Sequence, residues 1–76
     1  MKYSDIGVGS SANYLYLNID DYPYIVSAVY ISNNLSNGSL VAAIVEKISI
    51  DYAAKWRISN YGSNFQSGSK IRVYYI

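Results

Sequence analysis

Side chains along most of this chain alternate with a period of two, and that rhythm excludes a helical fold before anything else is weighed. Over residues 14–19, Tyr14, Tyr16 and Asn18 fall on one side and Leu15, Leu17 and Ile19 on the other, the pattern of a strand with one face buried and one wet. Asp20 and Asp21 end it. Pro23 precedes a second strand over residues 24–32, where Ile25, Val29 and Ile31 share one face and Tyr24, Val26, Ala28 and Tyr30 the other. Both faces are largely apolar, so this strand is expected at the centre of a sheet.

Residues 40–50 are the longest apolar segment. Its first half, with Ala42 and Ala43, is compatible with a short helix. A strand is preferred because Ile44, Val45, Ile48 and Ile50 are β-branched and strict alternation resumes over residues 48–52 with no helix stop between. A turn at 51–54 then leads to a strand over 55–60, with Lys55, Arg57 and Ser59 opposed to Trp56 and Ile58, pairing back on its predecessor. The last strand, 70–76, sends Lys70, Arg72 and Tyr74 outward and Ile71, Val73 and Tyr75 inward. Loops rich in Asn, Ser and Gly fill 33–39 and 61–69. Residues 1–12, with Gly7, Gly9, Ser10 and Ser11, read as a lead-in segment or short edge strand, and 13–76 as a single domain. The expected fold class is all-β: a small antiparallel β-sandwich or barrel of about five to six strands.

A chain of 76 residues buries only ~60% of the surface its unfolded form exposes, and such a core is marginal alone. Disulfides, a structural metal or a partner subunit usually supplement it. The sequence has no Cys and no His. Cysteine nucleophiles, histidine-based triads and zinc sites of the usual kind are therefore excluded, and no enzyme activity, cofactor or metal is expected. Six Lys and Arg against five Asp and Glu leave a net charge of +1, far from the basic excess of a dedicated nucleic-acid binder. No apolar run is long enough for a membrane helix and no signal peptide opens the chain, so a soluble protein is expected.

Few motifs carry chemistry. Gly7-Val8-Gly9-Ser10-Ser11 superficially resembles a phosphate loop, but a strand follows where such a loop needs a helix. Asp20 and Asp21 would point to opposite faces of an extended chain, and strand termination accounts for them. Lys47 and Ser49 share a strand face, as a nucleophile pair would, yet a solvated face explains both. Asn34-Leu35-Ser36 and Asn37-Gly38-Ser39 fit the glycosylation sequon by composition. Lys55 and Arg57 with Lys70 and Arg72 would line up as a basic stripe flanked by Tyr74 if their strands pair. That is how small barrels hold single-stranded nucleic acid, and it stands as the alternative function.

Ten tyrosines are the most suggestive feature. Sheet packing uses about half of them, since aromatic residues favour strands. Tyr14, Tyr16, Tyr30, Tyr61 and Tyr74 fall on faces or loops that core filling does not require. Such a surplus in a marginal domain, beside a strand that is apolar on both sides, points to a partner, and self-association would supply the missing layer.

A Gly/Ser loop leading to an alternating strand, then Asp21-Tyr22-Pro23-Tyr24 followed by Ile25-Val26-Ser27-Ala28-Val29-Tyr30-Ile31-Ser32, resembles the start of the small C-terminal β-domains of phage tail fibres and related receptor-binding virion proteins. Trp56-Arg57-Ile58-Ser59-Asn60, a Gly/Ser-rich loop and a closing Lys70-Ile71-Arg72-Val73-Tyr74-Tyr75-Ile76 agree with that layout. The resemblance implies a virion or extracellular β-sandwich tip, commonly trimeric, whose loops touch a host-surface glycan or protein and which has no catalytic residues. The 76 residues hold no fibrous shaft, so an excised tip, a stand-alone virion decoration and an unrelated protein of similar build are the expected alternatives. The expected contact residues are Asn33, Asn34, Asn37, Tyr61, Asn64 and Phe65, because amide and aromatic side chains together suit sugar hydroxyls and ring faces. A purely structural assembly subunit is the third reading.

Overall fold

The computed structural model describes residues 1–32 and 40–76; the contact residues expected at Asn33, Asn34 and Asn37 lie outside the described residues. The strands are β1 (Lys2–Gly7), β2 (Tyr14–Asn18), β3 (Ile25–Ile31), β4 (Leu40–Ile50), β5 (Ala53–Ser59) and β6 (Lys70–Tyr75). Every neighbouring pair is antiparallel, in the order β1-β6-β3-β4-β5-β2. The fold is all-β, a single strongly curled sheet shaped as a half-barrel. The lead-in segment provides β1, an edge strand, and β3 lies inside the sheet as its two apolar faces require.

The long apolar β4 lets the sheet curl. Its first residues pair with β3, from Leu40 opposite Ile31 to Ala43 opposite Ala28; from Ile44 onward it pairs with β5. One strand thus serves two halves of the sheet, β1-β6-β3 and β5-β2. Such a change of neighbour is how β structures turn corners.

A bulge in β3 corrects one reading of the alternation. Ile25 lies opposite Tyr75 and Ser27 opposite Tyr74, so Val26 is an extra residue. The insertion shifts the period by one and puts Ile25 on the same face as Ala28 and Tyr30, which are all buried, whereas Val29 and Ile31 face outward beside Arg72 and Lys70. The β4–β5 connection is also tighter than the four residues expected. Asp51 and Tyr52 alone make it, with φ of 51° and 65°. Positive φ at both central residues marks the two-residue hairpin turn whose twist matches its strands.

The concave face holds the core: Val8, Ile25, Ala28, Tyr30, Ile58, Phe65, Ile71 and Val73. Ile58, Ile71 and Val73 have no exposed surface, and side chains of this kind contribute roughly 1.5–3 kcal/mol each when fully buried. One end of the core is closed by two loops. Phe65 and Ala12 exchange backbone hydrogen bonds of 2.8 and 3.2 Å, while Val8 bonds to Ser69 and accepts from Gly68. Phe65 then packs edge-on against Tyr30 at 5.0 Å between ring centroids, and the Tyr30 hydroxyl accepts the Gln66 amide at 2.9 Å. At the opposite end Tyr22 meets Tyr75 edge-to-face, and Trp56 Nε1 donates to the Tyr22 carbonyl at 2.6 Å.

Candidate recognition surface

Residues directly opposite in an antiparallel pair share a face, so the registers define what the convex side presents. On β2-β5-β4, Tyr16 lies opposite Arg57, Arg57 opposite Glu46, and Tyr14 opposite Ser59. The Arg57 guanidinium sits 4.8 Å from the Tyr14 ring centroid and donates from Nη2 to Glu46 Oε1 at 3.2 Å. Tyr14 and Tyr16 are 6.1 Å apart with their rings tilted by 51°. The result is an exposed pair of rings, one of them stacked with a cation that a carboxylate orients. Arg57 Nε is buried and has no partner among the described residues. Partial desolvation works against the Arg57 charge, but Glu46 and the neighbouring tyrosines outweigh it and hold the pKa above its ordinary value.

The other half of the sheet repeats this grammar. Tyr3 lies opposite Tyr74 and Asp5 opposite Arg72. Arg72 grips the Asp5 carboxylate in two-pronged fashion, Nε to Oδ1 at 2.7 Å and Nη2 to Oδ2 at 2.9 Å, with its guanidinium 4.4 Å from the Tyr3 ring. The hydrogen bond from Arg72 holds the Asp5 carboxyl below its ordinary value against partial desolvation, with further help from the charges of Arg72 and Lys70. Arg72 is pushed up in turn, by Asp5 first and Tyr74 second.

Two further tyrosines are held in backbone conformations that side chains rarely adopt. Tyr52, at the tip of the β4–β5 hairpin, is fully exposed. Tyr61 has φ 49° beside Gly62 at φ 85°, in a turn closed by a 2.8 Å bond from Ser63 N to Asn60 O. Left-handed backbone at a bulky residue is strained, and here it is imposed by the two turns. Tyr61 lies in the turn that follows β5.

The expected loop site is therefore divided. Tyr61 and Asn64 are exposed. Phe65 is 1% exposed and is not a surface contact but the plug of the core, because its backbone is tied to Ala12 and its ring to Tyr30. The basic stripe does not form either. β5 and β6 are separated in the sheet by β3 and β4, and both arginines are matched to carboxylates. Asp20 and Asp21 sit in the turn after β2, where Asn18 donates to Asp21 and accepts from Lys55 at 2.8 Å. Lys47 lies over the Trp56 ring at 5.6 Å. Two open clefts lie on the described residues, one of about 390 Å³ lined by Asp5, Ser32, Ser69, Lys70 and Arg72 and one of about 420 Å³ lined by Asn18, Asp20, Asp21 and Lys55. Among the described residues no group of three or more acidic side chains could hold a metal ion, and no helix is long and apolar enough to cross a membrane.

Of the five tyrosines expected outside the core, Tyr14, Tyr16 and Tyr61 are exposed and Tyr74 is half-buried, but Tyr30 is a core residue, because the bulge in β3 turns it to the concave face against Phe65. Alternation could not supply the arginine and carboxylate beside the outward rings. Comparison with family models, curated proteins and solved structures finds no match to this chain.

Proposed function

We propose that this chain is a non-enzymatic recognition domain that assembles with copies of itself and adheres to a surface glycan through the tyrosine-rich convex face of its sheet. The observation that carries the reading is the Tyr14, Tyr16, Arg57 and Glu46 cluster. Exposed rings offer stacking faces to the C–H side of a sugar, while a guanidinium and a carboxylate beside them address its hydroxyls. Tyr61 and Asn64 at the end of the same half of the sheet fit the same ligand chemistry. The layout resembling a fibre tip is in keeping with a role in attachment at a virion or extracellular surface.

A glycan array probed with the full chain tests this. Binding to a defined set of saccharides is expected, falling tenfold or more in Tyr14→Ala and Tyr16→Ala and changing little between 50 and 200 mM salt. Retention of single-stranded nucleic acid with a steep salt dependence, or no saccharide binding at all, would overturn it.

A further inference from the structure

Each open edge of the sheet presents a row of backbone hydrogen-bonding groups that another strand can take up, and native proteins usually guard such edges with charge, proline or a bulge. The two edges of this sheet differ. β1 carries Lys2 and Asp5 within six residues. β2, Tyr14-Leu15-Tyr16-Leu17-Asn18, carries no charge, no proline and no register shift against β5, its one neighbouring strand among the described residues. Its inward side chains, Leu15 and Leu17, are only partly buried, whereas Ile71 and Val73 at equivalent positions inside the sheet are completely covered. Among the described residues no strand lies beyond β2, and the core fades out there.

We infer that β2 is the self-association edge, pairing antiparallel with the β2 of a second copy about a twofold axis through Tyr16. The sequence is self-complementary in that register. Tyr16 faces Tyr16 of the second copy, Leu15 faces its Leu17, and Tyr14 faces its Asn18. This arrangement pairs all five residues and keeps leucines on the concave side and tyrosines on the convex side of both copies. Leucine then covers leucine across the seam, and the sheet runs on to twelve strands. A second copy carries this same alternation, so it brings its own leucines into step with Leu15 and Leu17 and sets an uncharged strand against an uncharged edge. The contact is isologous, so it closes at two copies.

The inference rests on the self-association half of the proposed function and deepens it. The two Tyr14-Tyr16-Arg57 clusters would meet across the axis to form one continuous surface, the geometry in which weak contacts to a repeated ligand reinforce each other.

Residue 16 opposing itself gives a test that does not depend on ligand binding. Sedimentation velocity and native mass measurement of the full chain should show a dimer. Tyr16→Lys and Tyr16→Glu, each folded by circular dichroism, should raise the dimer dissociation constant at least 100-fold by placing like charges face to face, and an equimolar mixture of the two should recover a heterodimer. Tyr3→Lys on the other edge should leave the dimer intact. Since the chain has no cysteine, Tyr16→Cys gives a second line. Mild oxidation should cross-link it through residue 16 while Tyr3→Cys stays uncross-linked. A wild-type trimer, a dimer indifferent to Tyr16→Lys, or cross-linking through residue 3 instead would overturn the β2 assignment while leaving self-association standing. A wild-type monomer at 100 μM would overturn both, and glycan binding by that monomer would still be measured separately on the array.

Discussion

Replacing Phe65 by Ala separates a loop contact from a core residue. The ring is 1% exposed and lies edge-on to Tyr30 at 5.0 Å, so its removal empties a closed site rather than trimming a surface. Truncation of a buried Phe costs roughly 3–5 kcal/mol, counting both lost transfer energy and the cavity. A domain of 76 residues has about 4–11 kcal/mol of total stability at ordinary values per residue. The variant should therefore lose between about a quarter and all of it, and at about 4–8 °C per kcal/mol its melting temperature should fall by at least about 12 °C. Tyr61→Ala, four residues earlier in the same loop but exposed, should change stability by no more than about 0.5 kcal/mol. Urea titrations followed by Trp56 fluorescence and far-ultraviolet circular dichroism measure both. If Phe65→Ala cost less than about 1 kcal/mol while saccharide binding disappeared, the plug assignment would be wrong and the ring would belong to the ligand.

Tyr52→Gly should stabilise the protein by about 0.5–1 kcal/mol, the relief of roughly 1–2 kcal/mol of left-handed strain less the added flexibility of the unfolded chain; a denaturation midpoint shifted downward would show that Tyr52 is not strained. Trp56→Phe should cost about 1–3 kcal/mol in urea titrations followed by far-ultraviolet circular dichroism alone, because the Tyr22 carbonyl loses its donor, and a neutral result would mean that water replaces it. Asp5 has a folded pKa below its unfolded value, so its contribution is present above about pH 4 and is lost as pH falls through the depressed folded value. Thermal melts between pH 2 and pH 6 should accordingly show a shallower acid decline in Asp5→Asn than in the parent, and identical slopes would remove the Arg72 pairing from the account.

The convex surface was partly legible from alternation, which turned Tyr14, Tyr16, Arg57, Arg72 and Tyr74 outward. Their grouping was not, since it depends on which strands are neighbours. Arg57 and Arg72 look like one basic stripe in sequence because they sit on consecutive strands. In the sheet they lie on separate halves, each beside its own carboxylate and its own pair of rings. Loop composition misled in a related way. Phe65 among Ser, Asn and Gly looks like a presented aromatic, but burial is decided by what a loop folds onto, here the open end of the core next to Ala12 and Tyr30.

Sequence alone determined the secondary structure class, the antiparallel partnership of β4 with β5 and most of the inward and outward assignments, because strand periodicity is a local property of backbone geometry. Tertiary structure decided the strand order, the shift of face at Val26 and the way β4 serves both halves of the sheet. These depend on contacts between residues far apart in the chain, where pairing energy is similar for many arrangements and only the closure of a common core selects among them.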